Sequence, residues 1–172
     1  MALRSGLLAG TLTAALALPG CSRGPRLTVS WTGADSGSAT LLATAVQCKR
    51  EIRLEAMSGD TGVALVLYLS LKTVQDSVLP VRPTDEARRS RPSAAVAARW
   101  VDSARVDGYR GVEGTLRPRV DGKRITGRFT ALTRREGDLA EVTLTGSFSG
   151  VPIGACDDTA GASTASRPEG PG

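Results

Sequence analysis

Apolar and polar residues alternate over short runs along most of the chain, and glycine, proline, aspartate and serine punctuate those runs. A period of two marks strands with one buried face, whereas an amphipathic helix repeats every three or four residues. The pattern predicts an all-β domain. Its first runs are Leu27 to Trp31, Ala39 to Cys48, and Ile52 to Met57 with Ile52, Leu54 and Ala56 on one face. The turn Ser58-Gly59-Asp60 leads into Val63 to Leu71, where Val63, Leu65, Leu67, Leu69 and Leu71 share a face and Ala64, Val66 and Tyr68 lie opposite. A strand apolar on both faces belongs at the centre of a core.

Leu79 to Pro92 carries three prolines and several charges, and reads as a loop with a short helical turn at Thr84 to Arg89. Ala94 to Val101 suits helix by its alanines and strand by its Val96, Ala98, Trp100 alternation; the preceding proline and the short length favour strand. Asp121-Gly122 is a favoured hairpin turn pair between alternating runs. Counting outward from it sets Val120 opposite Lys123 and Arg119 opposite Arg124. Arg117, Arg119, Arg124 and Arg128 then share one face, and apolar or small residues the other. A last strand, Val142 to Phe148, turns Val142, Leu144, Gly146 and Phe148 inward. Such strands build either an antiparallel β-sandwich or a partly closed β-barrel.

The first twenty residues differ in kind. One positive charge, Arg4, precedes an uncharged apolar stretch from Leu7 to Leu18, the profile of a signal peptide. As a helix it spans only about 18 Å, too short for the roughly 30 Å of a bilayer core. It ends in Leu18-Pro19-Gly20-Cys21, which resembles the bacterial lipobox in the leucine three places before the cysteine and the small residue just before it; Pro19 is a mild departure. The resemblance implies cleavage before Cys21, lipid on that cysteine and a place in the cell envelope. Ser22 resembles the residue found on lipoproteins sorted to the outer membrane, facing the periplasm or the cell surface, where the organism has two membranes. The expected organisation is a leader over 1–20, a tether over 21–26, one β domain over 27–156, and a disordered tail over 157–172 that lacks apolar periodicity.

Further on, GTLRPRVDGKRITGRF followed by VTLTGSF resembles the C-terminal hairpin and closing strand of several groups of uncharacterised bacterial β-sandwich lipoproteins. The resemblance implies an antiparallel sandwich and no activity.

With Cys21 lipidated, two cysteines remain in an exported chain, Cys48 and Cys156. They are expected to form a disulfide; the alternative is two free thiols. The chain has no histidine, which removes the commonest general base near neutral pH and excludes Ser-His-Asp and Cys-His chemistry. Lys49, Lys72 and Lys123 lie in no nucleophile-activating motif. Asp60-Thr61-Gly62 spells an aspartic-protease triplet, but it occurs once and follows turn residues rather than a hydrophobic run. No cofactor or metal is expected, and the domain is read as non-catalytic; an enzyme whose site carries no recognised motif is the remaining option.

Charge is uneven. Residues 82 to 135 hold 14 Lys and Arg against 6 Asp and Glu, a surplus of 8 within a chain whose net charge is +5. Arg117, Arg119, Arg124 and Arg128 are therefore the candidate contact to anionic head groups or an acidic envelope polymer, against the plainer reading of a solvated face in an arginine-rich chain. Nucleic acid is disfavoured by export and by few, scattered aromatics. The leading expectation is a membrane-anchored envelope lipoprotein whose β domain binds another protein or the surface. The alternative is a carrier enclosing a lipid or other apolar ligand, with Gly114, Gly127 and Gly146 opening its interior.

Overall fold

The computed structural model describes residues 24–69, 77–102, 105–137 and 140–156. The leader, Cys21, Leu71 and the tail lie outside them. The described residues form β1 (Arg26–Gly33), β2 (Gly37–Cys48), β3 (Glu51–Ser58), β4 (Thr61–Tyr68), β5 (Leu79–Val81), α1 (Thr84–Arg89), β6 (Ser93–Asp102), β7 (Arg105–Asp121), β8 (Arg124–Arg135) and β9 (Glu141–Ala155). The strands make one sheet in the order β1-β2-β3-β4-β6-β5-β7-β8-β9, and β9 pairs with β1 to close the ring. The chain is all-β, as its alternation predicts. Neighbours are antiparallel except where β5 meets β6 and where the end of β9 meets β2.

Alternation decides what fills the ring. Leu27 and Val29 of β1, Leu41 of β2, Ile52 and Leu54 of β3, and Leu65 and Leu67 of β4 are all buried in one core with Leu116, Ile125, Phe129, Leu144 and Phe148. β4 is apolar on both faces because α1 covers its outside: Tyr68 packs with Ala87 of the helix and Ala95 of β6. The alanines of β6 are consistent with this close approach, since small side chains let a helix lie near the sheet. Asp85 and Glu86 in the first turn of α1, with Arg88 and Arg89 in the last, match the helix dipole.

Leu79–Val81, expected as loop, is a short strand. β7 pairs with β6 as far as Ala97↔Arg110 and then with β5 from Val81↔Gly114. A register jump between Gly111 and Glu113 bends β7 at this parting, as a bulge does. Gly114 has φ +144°, and a Cβ there would lie 2.2 Å from the Thr130 carbonyl oxygen; the site admits only glycine.

The β7–β8 hairpin also departs from its expected register. Asp121 faces Arg124, so the two-residue turn is Gly122-Lys123 and Arg119 faces Thr126 rather than Arg124. Gly122 has φ +56°, and Lys49 is the one non-glycine residue with positive φ among those described. A turn starting with glycine needs positive φ only there, whereas an Asp-Gly turn of type I′ would put Asp121 in the left-handed region too. The slip moves the pairing by two residues, so every side chain keeps its face.

Three aromatic rings stack inside the ring of strands where β1 ends: Trp31 on Trp100 at 4.8 Å between centroids, and Trp100 on Tyr109 at 4.3 Å. An ion pair between Asp107 of β7 and Arg135 of β8, 3.1 Å apart and largely buried, lies beside Tyr109. The opposite end is clamped by the expected disulfide. Cys48 ends β2, Cys156 follows β9, and the two are bonded with Cα atoms 5.0 Å apart. Cys156 N–H also donates to the Gln47 carbonyl.

Candidate functional site

The outward face of four neighbouring strands collects arginine and hydroxyl groups. Counting by twos points Arg117 and Arg119 out from β7, Thr126 and Arg128 from β8, Ser147 and Ser149 from β9, and Arg26 and Thr28 from β1, and all are exposed. Register then aligns them. Arg117 faces Arg128, Arg128 faces Ser147, and Ser147 faces Thr28, a single line across four strands. Arg119 faces Thr126, and Arg26 faces Ser149. An open groove of about 660 Å³ runs between them, with Gly24 on its wall.

One of a reciprocal pair of contacts, Gly127 with Phe148, lines the groove. Gly127 lies opposite Phe148, and Phe129 opposite Gly146. A Cβ at residue 127 would sit 2.6 Å from the Phe148 ring, and one at residue 146 would sit 2.5 Å from the Phe129 ring. Each ring thus covers the glycine of the neighbouring strand, a device that closes a gap in a sheet. The interior space that Gly127 and Gly146 could open is filled by these rings, and Gly114 serves the bend in β7.

Several arginines elsewhere on the surface are paired with carboxylates. Arg53 and Arg91 both bind Glu51, Arg82 binds Glu86, Arg110 binds Glu136, and Arg134 binds Glu141. Arg26, Arg117, Arg119 and Arg128 make no ion pair among the described residues. Like charges set directly opposite on neighbouring strands, as Arg117 and Arg128 are, weaken a sheet. An anion placed between them relieves that repulsion and accepts forked hydrogen bonds from planar guanidinium groups, while serine and threonine hydroxyls donate further. The arrangement is suited to holding phosphate or carboxylate groups. Among the described residues, no cluster of His, Cys, Asp or Glu could hold a metal ion.

Three of the four arginines expected to share a face therefore meet in the groove, and the fourth does not. Arg124 lies at the hairpin end, opposite Asp121, and its guanidinium donates to the Gly150 carbonyl at 2.7 Å. Arg26 takes its place. Expected in the tether, it begins β1 instead, and the alternation Arg26-Leu27-Thr28-Val29-Ser30 extends through it. The rest of the basic segment disperses. Arg88 and Arg91 join Lys49, Arg50 and Arg53 around a second depression beside the disulfide, where Glu51 offsets part of the charge. Here Arg91 also lies over the Tyr68 ring, 5.5 Å from its centre. Comparison with protein-family models and with the curated proteins finds no match for this chain.

Proposed function

We propose that this protein is a lipid-anchored envelope protein whose β domain is a non-catalytic binding module, with the arginine groove as its contact to an anionic surface. The observation that carries the reading is the groove's position. Gly24 lies on its wall, three positions along the chain from Cys21, the cysteine of the lipobox-like segment. Three extended residues span at most about 10 Å, little more than the roughly 8 Å screening length at physiological salt. Lipid on Cys21 would hold Arg26, Arg117, Arg119 and Arg128 within reach of head-group charge. Basic residues there contribute about 1 kcal/mol each, an addition to the acyl chains that dominate anchoring.

The anchor and the groove are tested separately. Cys21→Ser is expected to move the protein from the membrane fraction to the aqueous one, with loss of the lipid mass from the N-terminal peptide; retention in the membrane would remove the anchor from the account. The unlipidated protein is expected to sediment with phosphatidylglycerol vesicles at low salt. Replacing Arg26, Arg117, Arg119 and Arg128 together with Gln should abolish that, and an unchanged bound fraction would refute the groove's role.

A further inference from the structure

We infer that the domain does not hang freely from its anchor but docks on the bilayer through the outer face centred on β1, with Leu42 and Met57 as the apolar contact and Arg26 and Arg128 as the contacts to lipid phosphate. This rests on the lipid anchor proposed above and adds an orientation to it. Leu42 is 60% exposed and Met57 43% exposed, and the two are cross-strand partners. Arg26 faces Leu42 from the other side, and Leu42 Cδ2 lies 3.8 Å from the place a Cβ would take on Gly24. The exposed leucine thus sits where the chain leaves for Cys21.

The five neighbouring strands β8, β9, β1, β2 and β3 carry, in that order, Arg128, Ser147 with Ser149, Arg26, Leu42 and Met57. These are five of the nine strands of the closed ring, so Arg128 and Met57 flank β1 on a curved surface, with four strand spacings, about 19 Å of sheet, between them. Apolar tips beside arginines are the composition of an interfacial contact, in which side chains enter the head-group boundary while guanidinium groups stay with the phosphates. Glu55, two residues from Met57 on the same strand, is the carboxylate at the edge of this face. A second exposed apolar pair, Val101 with Val106, lies at the end of the ring marked by the aromatic stack, away from Gly24.

Met57 is the single methionine after the leader, so its oxidation by hydrogen peroxide reports on the face without any label. The mature lipidated protein in phosphatidylglycerol–phosphatidylethanolamine vesicles is compared with the Cys21→Ser protein in buffer, by the mass gain of the Met57 peptide. The expected result is oxidation several-fold slower on vesicles. Leu42→Glu should restore the fast rate while the protein still sediments with the vesicles, and Val106→Glu should leave the protection intact. If the wild type sediments but is oxidised as fast as the Cys21→Ser protein, docking is overturned and the anchor stands. If the wild type fails to sediment, the anchor falls and docking with it. Protection that grows with the protein-to-lipid ratio would mark a second copy as the occupant and overturn the bilayer contact.

Discussion

Burial raises the phenol pKa of Tyr68 above its ordinary 10.0, and Glu51 adds to the rise while Arg88, Arg53 and Arg91 oppose it. A pKa higher in the folded than in the unfolded chain means that the folded chain holds the proton more tightly. The associated stability is complete below about pH 10 and is lost as pH climbs through the folded pKa. Urea unfolding between pH 8 and pH 11 should therefore show a steeper loss above pH 10 in the wild type than in Tyr68→Phe; equal slopes would remove Tyr68 from the account. The reciprocal Gly–Phe pairs make a second prediction at this scale. Gly146→Ala drives a methyl group into the Phe129 ring and towards the Thr28 carbonyl oxygen, and overpacking of this kind destabilises by about 1–3 kcal/mol. The loss should appear in the urea midpoint and shrink when Phe129→Leu is added, because the two changes share one contact. Nothing in local alternation announces these pairs: glycine at an inward position reads equally as a bulge, a cavity or a seat for a neighbouring ring.

The β7–β8 hairpin shows what alternation settles about an element and what it leaves open. Both candidate registers put Leu116, Ile125 and Phe129 inside and Arg117, Arg119 and Arg128 outside, because they differ by two residues. The partner of each arginine, however, depends on which residues turn. With Gly122-Lys123 as the turn, Gly122→Ala should destabilise by about 1–2 kcal/mol through its left-handed backbone, whereas Asp121→Ala, with an exposed side chain in a strand position, should stay within about 0.5 kcal/mol. Equal losses at both positions would favour a turn centred on Asp121-Gly122. β6 and α1 were legible for a similar reason: Val96, Ala98 and Trp100 alternate, and the charges of Thr84 to Arg89 suit a helical turn. β5 was not. Its three residues gain strand geometry only because the bulged β7 leaves an edge for them to pair with.

At the scale of the whole molecule, the ring closes through contacts between the ends of the domain. β9 pairs with β1 along Leu27↔Phe148 and Gly33↔Val142, then continues beyond the start of β1 to lie parallel to β2. The Cys48–Cys156 bond joins that last contact across 108 residues. In the chain-entropy account a loop of this length adds about 4–5 kcal/mol by restricting the unfolded chain. Replacing both cysteines with serine should lower the unfolding free energy by that order, measured by urea titration of the oxidised and double-variant proteins. A loss below about 1 kcal/mol would mean that residual structure already restricts the unfolded chain without the bond.

By itself the sequence determined the β class, the face of nearly every strand and the excess of arginine over acid along residues 82 to 135, and it made Cys48 and Cys156 the expected disulfide partners. All of these follow from a period of two, from counting cysteines or from counting charges, and none needs to know which strands are neighbours. Tertiary structure alone decided that Arg26 joins Arg117, Arg119 and Arg128 while Arg124 turns aside, that Trp31, Trp100 and Tyr109 form one stack, and that Leu42 meets Met57 beside Gly24. Those juxtapositions are made by hydrogen-bonded registers between strands far apart in the chain. Local pattern states which way a side chain points, but only the closed sheet states what it points beside.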